Sequence, residues 1–206
     1  MKKAILIFWL FAGLVVGLAG AAHAAAPPDQ LVRETTDEVL SQLTENRDAM
    51  KQNPERLYRM VNDIVLPHFD FERMSRYVLG KHWRDADPEQ QEQFVEEFRT
   101  LLVRTYATAL FEYTGQEIVY KPFRHEEGDK KAIVKTEVKA QDGPPIPIDY
   151  ALMQEGEGWK VFDIKIDGLS LVTNYRSQYG RTIQTQGIDT LIASLSEKNE
   201  KLVNQQ

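Results

Sequence analysis

The sequence contains no cysteine. That excludes thiol nucleophiles, cysteine-based zinc sites and disulfide staples. It does not exclude an oxidising compartment, because a domain near 180 residues can bury a sufficient core unaided. Histidine is also scarce, with four in 206 residues. His23 falls in an N-terminal segment expected to be removed, and His68, His82 and His125 lack the i, i+4 spacing of a helical zinc site. There is no G-x-S-x-G nucleophile elbow and no glycine loop that could cradle a phosphate. After residue 20 no apolar run approaches the roughly 18 residues of a bilayer span. Basic charge is in deficit as well, with 25 Lys and Arg against 31 Asp and Glu. Nucleic-acid binding and adsorption to anionic lipid both need clustered cations, so both are disfavoured.

What the chain does have begins at its N-terminus. Lys2 and Lys3 precede an uncharged apolar run from Ala4 to Gly20, and Ala22-His23-Ala24 fits an A-x-A cleavage site. Basic start, short apolar core and small-residue exit describe a secretory signal peptide. An uncleaved anchor is the alternative, but a run of about 17 residues sits at the low edge of a span. The expected division is a signal peptide over 1–24 and one α+β domain over 25–206 with a polar C-terminal tail. Cleavage after Ala24 is preferred to cleavage after Ala26. It removes both lysines and no acid, leaving 23 basic and 31 acidic side chains, a net charge of -8.

Helical periodicity comes first. Leu31, Thr35, Val39 and Leu43 mark one short helix beginning near Asp29, and Asn53-Pro54 starts a second through Leu57, Met60, Val61, Ile64 and Val65 to Pro67. Asp70 caps a third, carrying Phe71, Met74, Tyr77 and Val78 and ending at Gly80. Asp87-Pro88-Glu89-Gln90 is a capping-box start, and Phe94, Phe98, Leu101, Leu102, Thr105, Ala109 and Tyr113 then trace one face up to Gly115. Such a helix is expected to run about 39 Å.

From Gln116 the period becomes two. Ile118 and Tyr120, then Ala132, Val134, Thr136 and Val138, then Ile146, Ile148, Tyr150 and Leu152, then Phe162, Ile164 and Ile166 each share a face. Turns at Gln141-Asp142-Gly143 and Glu155-Gly156-Glu157-Gly158 make these an antiparallel meander. Two helices close the chain, one from Leu171 to about Gln184 and one through Ile188, Leu191, Ile192 and Leu195, with the last ten residues expected to fray. Helices, strands, then helices indicate an α+β fold, helices packed on one face of the sheet.

Candidate acids for catalysis are poor. Asp163 and Asp167 share a strand face with Lys165 between them, and alternation turns Asp149 away from Ile148 and Tyr150 toward solvent. No catalytic or metal-binding set and no cofactor site emerges.

Several segments carry a family resemblance. Leu79-Gly80 with Trp83, then Gln93-Phe94, Phe98, Leu101-Leu102 and Thr105-Tyr106, resembles the MlaC family of toluene-tolerance auxiliary proteins. So does Ile166-Asp167-Gly168-Leu169-Ser170-Leu171-Val172, followed by Asn174-Tyr175-Arg176 and Gly187-Ile188-Asp189. The resemblance implies a periplasmic phospholipid shuttle that maintains outer-membrane lipid asymmetry. Its implied fold is a twisted antiparallel sheet against several helices, an NTF2-like cone with an apolar pocket for acyl chains. Its implied partners are phospholipid, an outer-membrane lipoprotein–porin complex and an inner-membrane MCE-domain protein of an ABC transporter complex. The pocket is expected among Phe94, Phe98, Leu101, Leu102 and Tyr106 on the long helix, and Val134, Val138, Ile148, Tyr150, Leu152, Ile164 and Ile166 on the sheet. A ligand-free periplasmic adaptor and a small-molecule enzyme on the same cone are the alternatives.

Overall fold

Two prolines set where the first helix starts, since the N–H they lack would have no partner in a first helical turn. From there α1 (Pro28–Gln52) runs 25 residues in the computed structural model, which describes residues 26–126, 128–139 and 143–204. The expected signal peptide and the centre of the Gln141-Asp142-Gly143 turn lie outside the described residues. α1 is much longer than the short helix expected. Val32, Val39, Leu43 and Met50 stay in helical phase along its whole length, and no proline or glycine interrupts it before Asn53-Pro54.

After α2 (Glu55–Met60) the winding loosens to a π-helical turn at Val61–Val65 and then tightens to a 3₁₀ turn at Leu66–His68, which contains Pro67. α3 (Phe71–Leu79) is capped as expected: Asp70 accepts from the Arg73 N–H at 2.8 Å and pairs with the Arg73 guanidinium at 2.6 Å. A single helical turn, α4 (His82–Asp85), was not expected. α5 (Pro88–Tyr106) opens with the capping box between Asp87 and Gln90.

α5 is shorter than its apolar stripe suggests. It spans 19 residues, about 28 Å, and the chain then tightens into a 3₁₀ turn at Ala107–Glu112. The cause lies in tertiary structure. Arg47 of α1 donates to the carbonyls of Phe111 and Tyr113, and Ala107 is buried against α1 and α2 side chains. That docking holds a segment whose β-branched Thr105 and Thr108 favour helix only weakly.

Five antiparallel strands follow in simple meander order: β1 (Ile118–Tyr120), β2 (Lys131–Val138), β3 (Ile146–Glu155), β4 (Gly158–Ile166) and β5 (Leu169–Ser170). A bulge in β4 sets its phase. Leu152 pairs with Val161, but Ala151 pairs with Asp163, so Phe162 is the extra residue. The bulge shifts the phase of the residues before it, so Trp159 and Val161 join the inward face, while Phe162 packs with Ile164 and Ile166 on the helical side. Asp167 and Gly168 form the tight turn into β5, with φ of 51° and 79°.

Asp163 has a structural role. It accepts from the Ser170 hydroxyl at 2.6 Å and from the Val172 N–H at 3.1 Å, at the start of α6 (Leu171–Gln186). Asp163→Ala is expected to cost about 1–2 kcal/mol. A thermal melt would show this as a fall of about 2–8 °C.

α7 (Ile188–Asn204) continues through the residues expected to fray. The buried Asn199 holds it, donating to the Glu97 carbonyl at 2.9 Å and the Glu97 carboxylate at 2.6 Å.

The interior is split into three apolar clusters. One gathers α3, α5, α6 and α7, a second joins α1, α2 and the turns that follow α2 and α5, and a third lies between α1 and the sheet. Phe69 and Ile164 are half-buried and touch both the first and the third.

Candidate functional site

Strand register aligns the inward side chains into rows across the sheet. Ala132, Leu152 and Val161 form one row, Val134, Tyr150 and Ile164 the next. Tyr120, Thr136, Ile148 and Ile166 form the third, and Ile118, Val138 and Ile146 the last. No ionisable group other than tyrosine phenol stands in these rows. Charge lies on the opposite face, where Asp149 is registered between Lys135 and Lys165.

Along β3 and β4 burial falls from one end of this face to the other, while on β2 Val134 and Thr136 stay buried. The first row is closed, with Ala132, Leu152 and Val161 all buried beneath Val32 of α1. Tyr150, Ile164, Ile148, Ile166 and Val138 are only half-buried. At the far end Ile146 is 43 % exposed, and Leu169 of β5, next to Ile166, is 73 % exposed. The sheet therefore offers an apolar surface sealed at one end and open at the other.

The expected pocket residues separate into two groups. Val134 and Leu152 are buried in the cluster under α1, with Tyr150 and Ile164 packed on it. Phe94, Phe98, Leu101 and Leu102 instead fill the helical cluster. There Phe98 meets Tyr175 edge-on at 5.2 Å, and Phe94 meets Tyr179 at 6.1 Å. Tyr106, Ile164 and Ile166 pack on the rim of that cluster, and Ile164 connects the two groups. Val138 and Ile148 belong to neither. None of these residues lines the surface grooves of about 690 and 240 Å³ that lie beside α6 and beside α2 and α5.

Sequence reasoning missed the contribution of α1 and of the chain after β1. Leu31 and Val32 cover the sheet, and Phe123 packs beside them. Arg33 lies 3.8 Å over the Tyr120 ring. The Leu31 stripe was visible as periodicity, but nothing in it told which surface the helix would cover.

Electrostatically the face suits hydrocarbon. Its buried hydroxyl on Thr136 donates to the Ile148 carbonyl at 3.1 Å. Burial pushes the Tyr150 phenol up to about 12, with the neighbouring Tyr120 adding to the effect and Thr136 opposing it. Burial likewise raises Tyr175 and Tyr179. The Tyr150 phenol thus stays neutral at physiological pH, so it presents no charge that an acyl chain would have to desolvate.

Known proteins share this architecture. A phospholipid-binding protein from Ralstonia solanacearum, solved in complex with a phospholipid, superposes with a TM-score of 0.80 at 34% sequence identity. The match covers 86% of this chain and 99% of that one. The toluene tolerance protein ttg2D of Pseudomonas putida is 34% identical over 86% of this chain and 84% of its own length. The intermembrane phospholipid transport system binding protein MlaC of Haemophilus influenzae is 29% identical over 94% of this chain and 90% of its own. The model of the MlaC protein family matches residues 33–197, and the chain belongs to that family.

Proposed function

We propose that this chain is a phospholipid carrier that holds acyl chains against the inward face of its sheet and leaves the headgroup at the open end. The observation that carries the reading is the burial gradient, from sealed Leu152 to half-buried Ile148 and Ile166 and on to exposed Ile146 and Leu169. The names of its relatives, two of which mention phospholipid, support the same reading.

The physics of the task matches the residues. Each CH₂ exposed to water costs about 0.8 kcal/mol, so an acyl chain cannot cross an aqueous gap unshielded. An apolar face need only imitate the bilayer interior for transfer to be nearly isoenergetic. Cavity shape then selects the ligand, and catalysis and ATP hydrolysis are left to partners. Delipidated protein incubated with phospholipid vesicles and re-isolated tests the idea. It should return with bound phospholipid, whereas protein that stays bare would support a ligand-free adaptor.

The compartment follows from the N-terminus. Among the described residues no helix is long and apolar enough to cross a membrane. With the Ala22-His23-Ala24 site, the reading is a periplasmic protein that begins at Ala25. The expected partners are an outer-membrane lipoprotein–porin complex and an inner-membrane MCE-domain protein of an ABC transporter complex. The intact mass of protein exported by its native host should correspond to 25–206. A mass that retained the apolar run would make it an anchored protein.

A further inference from the structure

A groove of about 690 Å³ lies between the end of α3, α4 and the outer side of α6, away from the sheet. Its cations are Lys81, Arg176 and Arg181, all exposed, and its floor includes Val78, Leu79 and Gly80. No carboxylate lines it. Among the described residues none of the three cations pairs with an acid, although the chain as a whole carries more acid than base. Glu72 pairs with Arg76 at 3.9 Å, and Asp85 lies 4.0 Å from His82, which also lines the groove.

The arrangement is shaped as well as charged. Gly80 has φ of 58°, and a Cβ added there would come within 3.0 Å of the Arg176 guanidinium. The missing side chain leaves room for the Arg176 guanidinium to lie against the α3 terminus. An unpaired guanidinium held in this way suits a carboxylate, which it can bind with two parallel hydrogen bonds.

We propose that this groove docks an acidic segment of a membrane-anchored partner protein, and that it does so independently of lipid loading. The proposal builds on the carrier reading, which requires such partners. A bilayer is the less suitable occupant. A recessed groove cannot lie flat on a membrane, and anionic membranes are recognised by four or more clustered cations. An acidic peptide can enter the groove, and the opposite charges would speed encounter.

The test compares the mature protein with an Arg176→Glu/Arg181→Glu variant and with a Lys130→Glu/Lys131→Glu control of equal charge change. All four positions are exposed, so the fold should survive, and a melting curve confirms it. Binding is measured to inner- and outer-membrane vesicles from the native host, to the same vesicles stripped by protease, and to protein-free vesicles rich in phosphatidylglycerol. Wild type and control should bind at least one unstripped preparation, more weakly as salt rises. The groove variant should bind at least about tenfold less. Its bound phospholipid should match wild type, which separates this proposal from the carrier reading. Equal binding by the groove variant would overturn the docking site. So would wild-type binding to none of the vesicles, or equal binding to stripped or protein-free vesicles. Lipid lost from the variant alone would make the groove a headgroup site instead, whereas lipid absent from the wild type would remove the carrier reading.

Discussion

Ile148→Trp should abolish lipid loading while leaving the apo protein nearly as stable as before. Ile148 is half-buried, belongs to none of the three packed clusters, and sits between Thr136 and Ile166 in the row before the open end. In a close-packed site the added bulk would cost about 1–3 kcal/mol. Over an acyl-chain cleft the indole instead takes volume the ligand would fill. The expected result is a fall of at least about tenfold in phospholipid taken from vesicles, with apo stability lowered by less than about 1 kcal/mol. Ile164→Trp should also lose lipid, but its side chain touches two clusters, so the full overpacking cost is expected there. The melts must use delipidated protein, since bound ligand raises apparent stability by mass action. If both variants unfold while their folded fraction loads normally, these isoleucines are ordinary core.

Phe98→Ala should do the opposite. Phe98 is fully buried, stacked on Phe94 at 5.6 Å and met edge-on by Tyr175 at 5.2 Å and Tyr179 at 6.3 Å. Truncation leaves a ring-sized cavity at the centre of the helical cluster, at a cost of about 3–5 kcal/mol. Against a typical total stability of about 5–15 kcal/mol this is severe, and the melting temperature should fall by roughly 6–20 °C. The protein that remains folded should load lipid as wild type does. Loading lost without loss of stability would place Phe98, and with it Phe94 and Leu101, in the ligand site after all. The pair of variants thus separates the two groups that one apolar pattern had merged.

That merger shows where the sequence stops being informative. Local signals were readable because local chemistry causes them: the Asp70 and Asp87 caps, the Gly80 stop and the two-residue period of β2 all appear as read. Features set by distant contacts were not. The end of α5 depends on Arg47, some sixty residues away, and the order of the C-terminal tail depends on Asn199 meeting Glu97. The β4 bulge inserts one residue and brings Trp159 and Val161 onto the inward face, which strict alternation cannot foresee. For the site, period two placed Ile148, Tyr150, Ile164 and Ile166 on one face, because their side chains must alternate. Helical periodicity equally marked Phe94 and Phe98, since an apolar stripe looks the same whether it meets Tyr175 and Tyr179 or an acyl chain.

The central claim is that the native protein carries phospholipid, and native mass spectrometry with lipid extraction tests it most directly. Protein exported by its own host and purified gently should show a mass above that of its polypeptide. Solvent should release that excess as phospholipid with mixed headgroups, because no cluster of charge lines the inward face. A native mass equal to the bare chain, from protein that also refuses lipid from vesicles with its membrane partners present, would contradict the account.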